Sequence, residues 1–323
     1  MFDKICILGC GLIGSSLLRA IEKKKLAKKI SAFDKSKDVS LYLTKNFSFN
    51  VANSIDEAVK DSDLVIISSP LSSYKEILLS IKSSLRKNAI LTDTGSVKRE
   101  VNKIINSLNL DEVNWIASHP IAGTEFSGPE AGFAELFEKR WCILSADKNI
   151  PKEEIQKLEK FWIELGSKVK LMSFEQHDYV LSLTSHLPHA VAYSIVKTAI
   201  NDDEKFKNDI IQYSAGGLRD FTRIAASDPL MWKDVFIDNS DNILKVLDDY
   251  TKNLDEIKKK LPMEPVQMNL EKGDVLFMHG LCVHESSDNN SRDSRPLLSL
   301  GYMPFGEKFD PGFNSKRRID FLN

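Results

Sequence analysis

The run Ile5-Cys6-Ile7-Leu8-Gly9-Cys10-Gly11-Leu12-Ile13-Gly14 carries an apolar stretch into Gly9-x-Gly11-x-x-Gly14, and Asp34 follows the last glycine by about 20 residues. Glycines at that spacing have separate tasks when a dinucleotide binds between a strand and a helix. One makes the tight turn, one admits the pyrophosphate, and one lets the helix pack on the strand. Leu12 and Ile13 open that helix, whose unpaired N–H groups and positive dipole end face the phosphates. Asp34 closes a second strand-like run at 29–34. A carboxylate there accepts hydrogen bonds from the ribose hydroxyls and repels a 2′-phosphate, so NAD is favoured over NADP. Lys35 and Lys37 lie close by and soften that discrimination.

The elements that must position this chemistry alternate. Residues 63–68, 89–93 and 115–117 read as further strands of a parallel sheet, each ending in polar residues. Ligands of open α/β sheets bind beyond the carboxyl ends of the strands. Ser69-Pro70, Thr94-Gly95-Ser96 and Ser118-His119-Pro120 fall at such ends and become site candidates. From Pro151 the pattern changes to long helices over 153–165 and 174–200, with an interruption at Pro188. Gly216-Gly217 breaks the run, and helices resume over 218–226 and 230–260. The expected architecture is an α/β Rossmann-type domain over 1–150 followed by an all-helical domain over 151–261. That second domain packs on the first, forms a dimer interface, or does both, with substrate in the cleft between them. A short β-rich appendage occupies 262–323.

A chain of 323 residues has room for two or three domains, and 42% hydrophobic with 28% charged residues places it with ordinary globular proteins. A net charge of −2 with lysines scattered among acids gives no basic footprint for nucleic acid. No apolar run is long enough to cross a bilayer and the chain enters a strand at once, which argues against membrane or export and for the cytoplasm. Cys6, Cys10, Cys142 and Cys282 have neither metal-ligand spacing nor a disulfide framework. His186 and His189 stand at i, i+3, but no third ligand has zinc-like spacing, so no metal is expected.

Four further segments carry specific patterns: Asp93-Thr94-Gly95-Ser96-Val97-Lys98; Ser118-His119-Pro120-Ile121-Ala122-Gly123-Thr124-Glu125; His177-Asp178-Tyr179 with Ser185-His186-Leu187-Pro188-His189; and Gly216-Gly217-Leu218-Arg219-Asp220-Phe221-Thr222-Arg223. With the glycine turn, they resemble the prephenate/arogenate dehydrogenase family of tyrosine biosynthesis over residues 1 to about 260. The resemblance implies oxidative decarboxylation of a cyclohexadienol by a homodimer. NAD takes hydride from the carbon bearing the ring hydroxyl, the hydroxyl proton leaves, and the ring carboxylate departs as CO2. It also implies roles. His119 is the general base, suited by an imidazole that titrates near neutral pH, and Ser96 completes the network at the ring oxygen. Serine at 96 is also a good N-cap for the helix that follows. Arg223 clamps a substrate carboxylate through its planar fork, with Arg219 on the same helix face. His189 reaches the substrate side chain, and Gly123 and Thr124 line the ligand. His186 is read as local packing, His177 as either structural or functional, and Trp232 as core.

Residues 273–284 with Arg295 resemble a different family, a fragment of phytanoyl-CoA dioxygenase-type oxygenases, with His284 and Arg295 in the places of an iron ligand and a 2-oxoglutarate partner. The upstream His-x-Asp pair that an iron triad requires is missing from the sequence, so this fragment is expected to be non-catalytic. Two other readings compete for residues 1–260. One is a two-domain NAD(P)-dependent hydroxyacid or imine oxidoreductase, disfavoured by the His119–Glu125 string; the other is a catalytically silent ligand-binding homologue.

Overall fold

The computed structural model describes residues 2–124, 126–201, 209–210 and 212–260. The appendage at 262–323, with His284 and Arg295, lies outside the described residues, as does Glu125.

β4 (Leu64–Ile67) is a continuous apolar run, as is β1 (Phe2–Leu8) from Ile5 onward, because both faces are covered, and β5 (Ile90–Asp93) is buried throughout although it ends in Thr92 and Asp93. They belong to an eight-stranded sheet of order β3-β2-β1-β4-β5-β6-β7-β8, with β2 Ala27–Phe33, β3 Asn50–Val51, β6 Asn114–Pro120, β7 Trp141–Ala146 and β8 Lys168–Leu171. The first six strands are parallel, β7 runs antiparallel to β6, and β8 runs parallel to β7. The order 3-2-1-4-5-6 is that of a doubly wound dinucleotide-binding sheet, and it reverses between β1 and β4. The Rossmann-type expectation therefore holds.

Alternation along β1 divides the core. Ile5 and Ile7 face one cluster with Leu17, Leu18 and Trp162; Cys6 and Leu8 face the other with Tyr74, Leu78 and Trp115. The second cluster also takes in Phe174, Trp232 and Val235 from the helical half. That half is thus seated on one face of the sheet through shared apolar burial.

At the reversal, α1 (Leu12–Lys24) begins directly after the glycine turn. Gly9 has φ +87°, and a Cβ there would meet the backbone of Ser68 and Ser69 at 2.9 Å. A Cβ on Gly14 would lie 2.0 Å from the Gly9 carbonyl oxygen, so helix and strand touch only because it is absent. Around Gly11 nothing lies within 4 Å. The three glycines thus divide into turn, open face and contact.

Two boundaries differ from the sequence reading. Patterning ends the first domain at 150 and counts 153–165 as a helix of the second; the structure carries the sheet through Leu171. α6 (Lys152–Glu164) buries Leu158, Phe161 and Trp162 against that sheet. An amphipathic stripe identifies a helix but not the surface that covers it. The helix expected to break at Pro188 instead changes geometry earlier, in a π-turn at Ser182–His186 between α7 (Phe174–Leu181) and α8 (Leu187–Ile200). Pro188 then sits in the first turn of α8, where its missing N–H is harmless. Helices Gly216–Ala225, Pro229–Asp238 and Ser240–Lys260 complete the described residues.

The contrast between two glycines gives a first test. Gly14→Ala forces backbone apart and should destabilise by about 3 kcal/mol or more, lowering Tm by roughly 10 °C. Gly11→Ala should leave Tm within about 2 °C. Thermal melts that treat the two variants alike would contradict this division of tasks.

Candidate active site

Every carboxyl end in the parallel part of the sheet opens on the same edge. Gly9 follows β1 and Ser69 follows β4, while Thr94 to Ser96 follow β5. His119 lies within β6, opposite Ile143 of β7. The strand continues through Pro120 because β7 pairs with it, so His119 is held by a ladder on one side where the sequence suggested a free strand end.

Beside the glycine turn, the first turn of α1 carries no acidic side chain, and its N-cap, Gly11, supplies no side-chain hydrogen bond. The N–H groups contributed by Leu12, Ile13 and Gly14 therefore open onto the space above Gly11. Ser69 Oγ is buried there without a partner among the described residues, and Pro70 is exposed beside it. Asp34 anchors the loop: its Oδ2 accepts from the Cys10 N–H at 2.7 Å and its Oδ1 from the Ser36 N–H at 2.8 Å. An open glycine face, an orphaned hydroxyl and an anchored acid together fit a dinucleotide.

Further along the edge stands a buried polar cluster that joins the two halves. Asp93 Oδ2 accepts from the Lys98 ammonium at 2.6 Å, the Gly95 N–H at 3.0 Å and the Tyr74 hydroxyl at 3.2 Å, and Oδ1 accepts from the Ser118 N–H at 3.2 Å. Lys98 and Asp93 are both sealed from solvent. Burial lowers the Lys98 pKa, while the Asp93 charge opposes that fall. From the helical half, Asp178 accepts the N–H groups of Lys98 at 2.8 Å and Arg99 at 2.9 Å. These lie at the start of α5 (Arg99–Ser107), so the cap of that helix comes from a distant carboxylate. Ser96 does not cap it. It sits half-buried in the bend just before, at the β5 end.

Asp178 Oδ1 also meets His177 Nδ1 at 2.8 Å, and His177 Nε2 meets His119 Nδ1 at 2.8 Å. His119 is 8% exposed, whereas His177 is fully buried. Burial first, then His177, Lys98 and His186, hold the His119 pKa well below its ordinary value of 6.5. The imidazole is therefore neutral near physiological pH and able to accept a proton. Nδ1 is committed to His177, which leaves Nε2 for a ligand.

The π-turn turns the next two histidines toward Trp232. His189 stacks on its indole at 3.6 Å between ring centroids, and its Nδ1 donates to the Ser185 carbonyl at 2.9 Å. His186 is fully buried and takes an N–H from Asn239 at 3.0 Å, with burial pushing its pKa down to about 4. Its Nε2 has no partner among the described residues. Trp232 is core, as expected, and is also a platform for His189.

Other expected residues are not drawn in. Gly123 and Thr124 are exposed, and among the described residues Thr124 Oγ1 accepts only from the Phe126 N–H at 3.2 Å. Arg223 is exposed beside Asp220 at 3.6 Å and has no hydrogen bond to the histidine cluster within the described residues. Its helix lies along α8, the helix that carries His189, and buries none of its own residues. Arg223 and His119 share no hydrogen bond among the described residues, and the only ion pair described for Arg223 is with Asp220. Lys98, Asp93, Asp178 and Asn239 are central here, although sequence patterning gave them no role. The signals available were the adjacency of His177 and Asp178 and the Asp93–Lys98 string at a strand end. Among the described residues no cluster of side chains suits a metal ion, and no helix is long and apolar enough to cross a membrane.

Comparison with known proteins places this edge in context. The family model described as prephenate dehydrogenase, nucleotide-binding domain, matches residues 17–171, and that described as prephenate dehydrogenase, dimerization domain, matches residues 173–271. Their junction falls between β8 and α7, and the second match runs past residue 262. A cyclohexadienyl dehydrogenase from Zymomonas mobilis is 38% identical over 280 residues, covering 86% of this chain and 93% of the relative. A prephenate dehydrogenase from Bacillus subtilis is 30% identical over 306 residues, covering 94% and 79%. Among solved structures, prephenate dehydrogenase from A. aeolicus in complex with hydroxyphenyl propionate and NAD+ superposes with a TM-score of 0.74 at 32% identity, over 81% of this chain and 91% of that one.

The buried histidines predict an acid-sensitive fold. Burial lowers the pKa of His119, His177, His186 and His189, so on acidification the unfolded chain binds protons that the folded one refuses. Stability is then lost as pH falls below about 6.5. Asp238, pushed up to about 6 by burial and by Asp234, opposes this with a single proton. Tm should drop by several degrees between about pH 7 and pH 5. A Tm that held steady or rose over that interval would contradict the neutral, buried assignment.

Proposed function

This chain belongs to the prephenate dehydrogenase family, and we propose that it catalyses NAD-dependent oxidative decarboxylation of prephenate, arogenate or both, in tyrosine biosynthesis. The observation that carries the reading is a neutral imidazole, His119, on the same sheet edge as an open glycine turn, with one ring nitrogen tied and the other available.

NAD bound along Gly9, Gly11, Leu12, Ile13 and Gly14 supplies the hydride acceptor. Asp34 faces the ribose hydroxyls and disfavours a 2′-phosphate, and Ser69 and Pro70 border the cofactor on the β4 side. His119 Nε2 takes the hydroxyl proton as the ring carbon gives up its hydride, so the developing ketone never carries a stranded positive charge. When the ring carboxylate leaves as CO2, the electron pair it releases aromatises the ring. The proton on His119 returns to the phenolate oxygen. Ser96 stands at the neighbouring strand end as a second hydrogen-bonding group for that oxygen.

His189, held flat against Trp232 with Nδ1 tied, offers Nε2 toward the substrate side chain. Arg223 serves as the carboxylate clamp, and Gly123 and Thr124 border the ligand. Arg223 lies exposed on a helix with no buried residues, so its engagement depends on how the helical half assembles. That half exposes Tyr213, Leu230, Met231, Ile237 and Leu244, an apolar surface consistent with a homodimer formed through it. The neutral composition and reduced, buried Cys6, Cys10 and Cys142 fit a cytoplasmic enzyme acting on a small molecule, with neither nucleic acid nor membrane as partner.

Production of the reduced cofactor from prephenate and from arogenate, each with NAD and with NADP, tests the reading. Turnover should appear with NAD and at least one of the two substrates. His119→Ala should lower kcat by about 10²–10⁴-fold with little change in KM, and Arg223→Ala should mainly raise KM. Absence of turnover with both substrates, or full activity in His119→Ala, would overturn it.

A further inference from the structure

We propose that His177 and Asp178 form a positioning relay that fixes the tautomer of His119. This inference rests on the reading of His119 as the base. A neutral imidazole has one N–H and one lone pair, and only the lone-pair nitrogen can accept a proton. A free imidazole in water prefers to carry its hydrogen on Nε2. In that form His119 would present an N–H to the substrate hydroxyl and could not take its proton.

The chain of contacts imposes the opposite form. Asp178 accepts at both oxygens, from the Lys98 and Arg99 N–H groups at 2.8 and 2.9 Å. Its backbone carbonyl accepts from Asn239 Nδ2 at 2.8 Å. It therefore faces His177 as a fixed acceptor, and the 2.8 Å contact places the His177 hydrogen on Nδ1. His177 Nε2 is then a lone pair. The 2.8 Å contact from that lone pair to His119 Nδ1 requires a hydrogen on His119 Nδ1. By elimination, the remaining lone pair of His119 sits on Nε2, where a base is needed. His177 and Asp178 are sealed from water, so no solvent molecule supplies an alternative donor or acceptor.

The relay has a second effect. When His119 takes a proton at Nε2, the imidazolium keeps its Nδ1–H bond to His177, and Asp178 lies one ring further on. A hydrogen-bonded carboxylate behind the base stabilises the charge that develops without itself receiving a proton. Neither residue touches the reacting atoms in this arrangement; both act through His119.

The test reads the tautomer directly. In the full-length protein, two-dimensional 1H–15N correlation of the histidine rings, with His119 assigned by loss of its signals in His119→Ala, should show the hydrogen on Nδ1 of His119. In His177→Phe, which removes the acceptor, His119 should move to the Nε2–H form. Its kcat should fall by about 10²-fold or more, with KM within about threefold. His177→Gln, whose side-chain carbonyl can accept from Nδ1–H, should recover about tenfold of that loss. A hydrogen on Nε2 of His119 in the unaltered protein would overturn the relay, as would His177→Phe retaining kcat within about twofold. The unaltered protein decides the matter even if His177→Phe fails to fold. The two readings fail separately. Full activity in His119→Ala removes the base, whereas an inactive His119→Ala with Nε2–H in the unaltered protein removes only the relay.

Discussion

Asp178 is the point on which the two halves of the molecule depend. One side chain caps the start of α5 in the sheet-bearing half and holds a histidine ring of its own half against another ring on β6. A buried carboxylate is tolerated only when its oxygens are satisfied, and here every partner is a fixed N–H. Removing any one of them would leave a charge or a donor sealed from water. The sheet edge and the helical half are therefore registered by a constraint much stiffer than apolar contact alone. His119 inherits that stiffness.

A second buried carboxylate works in parallel. Asp93, at the end of β5, gathers a lysine, a tyrosine and two backbone N–H groups. After burial and His177, the Lys98 charge that balances it also lowers the His119 pKa, so the pair bears on both the fold and the base. Gly95 is part of the same arrangement, because a Cβ there would meet Leu71, Asp93 and Tyr74 within 2.9 Å. The two networks meet at Lys98, whose backbone belongs to Asp178 and whose side chain belongs to Asp93. This accounts for an ionisable cluster in the interior of an otherwise apolar sheet, with no need for a metal to hold it.

Much of this was legible in the sequence for physical reasons. The glycine turn states its own geometry, since spacing, flanking strand and following acid each answer a separate steric or electrostatic demand. His119 and Ser96 were found because ligand sites gather at carboxyl ends of parallel strands. Other features were hidden for equally physical reasons. α6 carries the stripe of a bundle helix, and nothing local says that a sheet covers it. The antiparallel strand β7 is one short apolar run among many, yet it turns His119 from a loop residue into a strand residue. Lys98 closes one of the recognisable strings, but nothing in the sequence says that its ammonium is buried against Asp93. Arg223 belongs to a recognisable string, but it stands exposed on a helix that buries none of its residues, so packing within the chain does not fix its side chain.

The central claim is that His119 Nε2 meets the ring oxygen of a substrate lying next to the dinucleotide turn. A crystal structure of this chain with NAD and a 4-hydroxyphenyl product analogue measures that contact directly. The account predicts the phenol oxygen at about 2.6–3.2 Å from His119 Nε2, with the pyrophosphate over Gly11. A ring bound away from His119, or a phenol oxygen held by a different side chain with His119 unengaged, would contradict it.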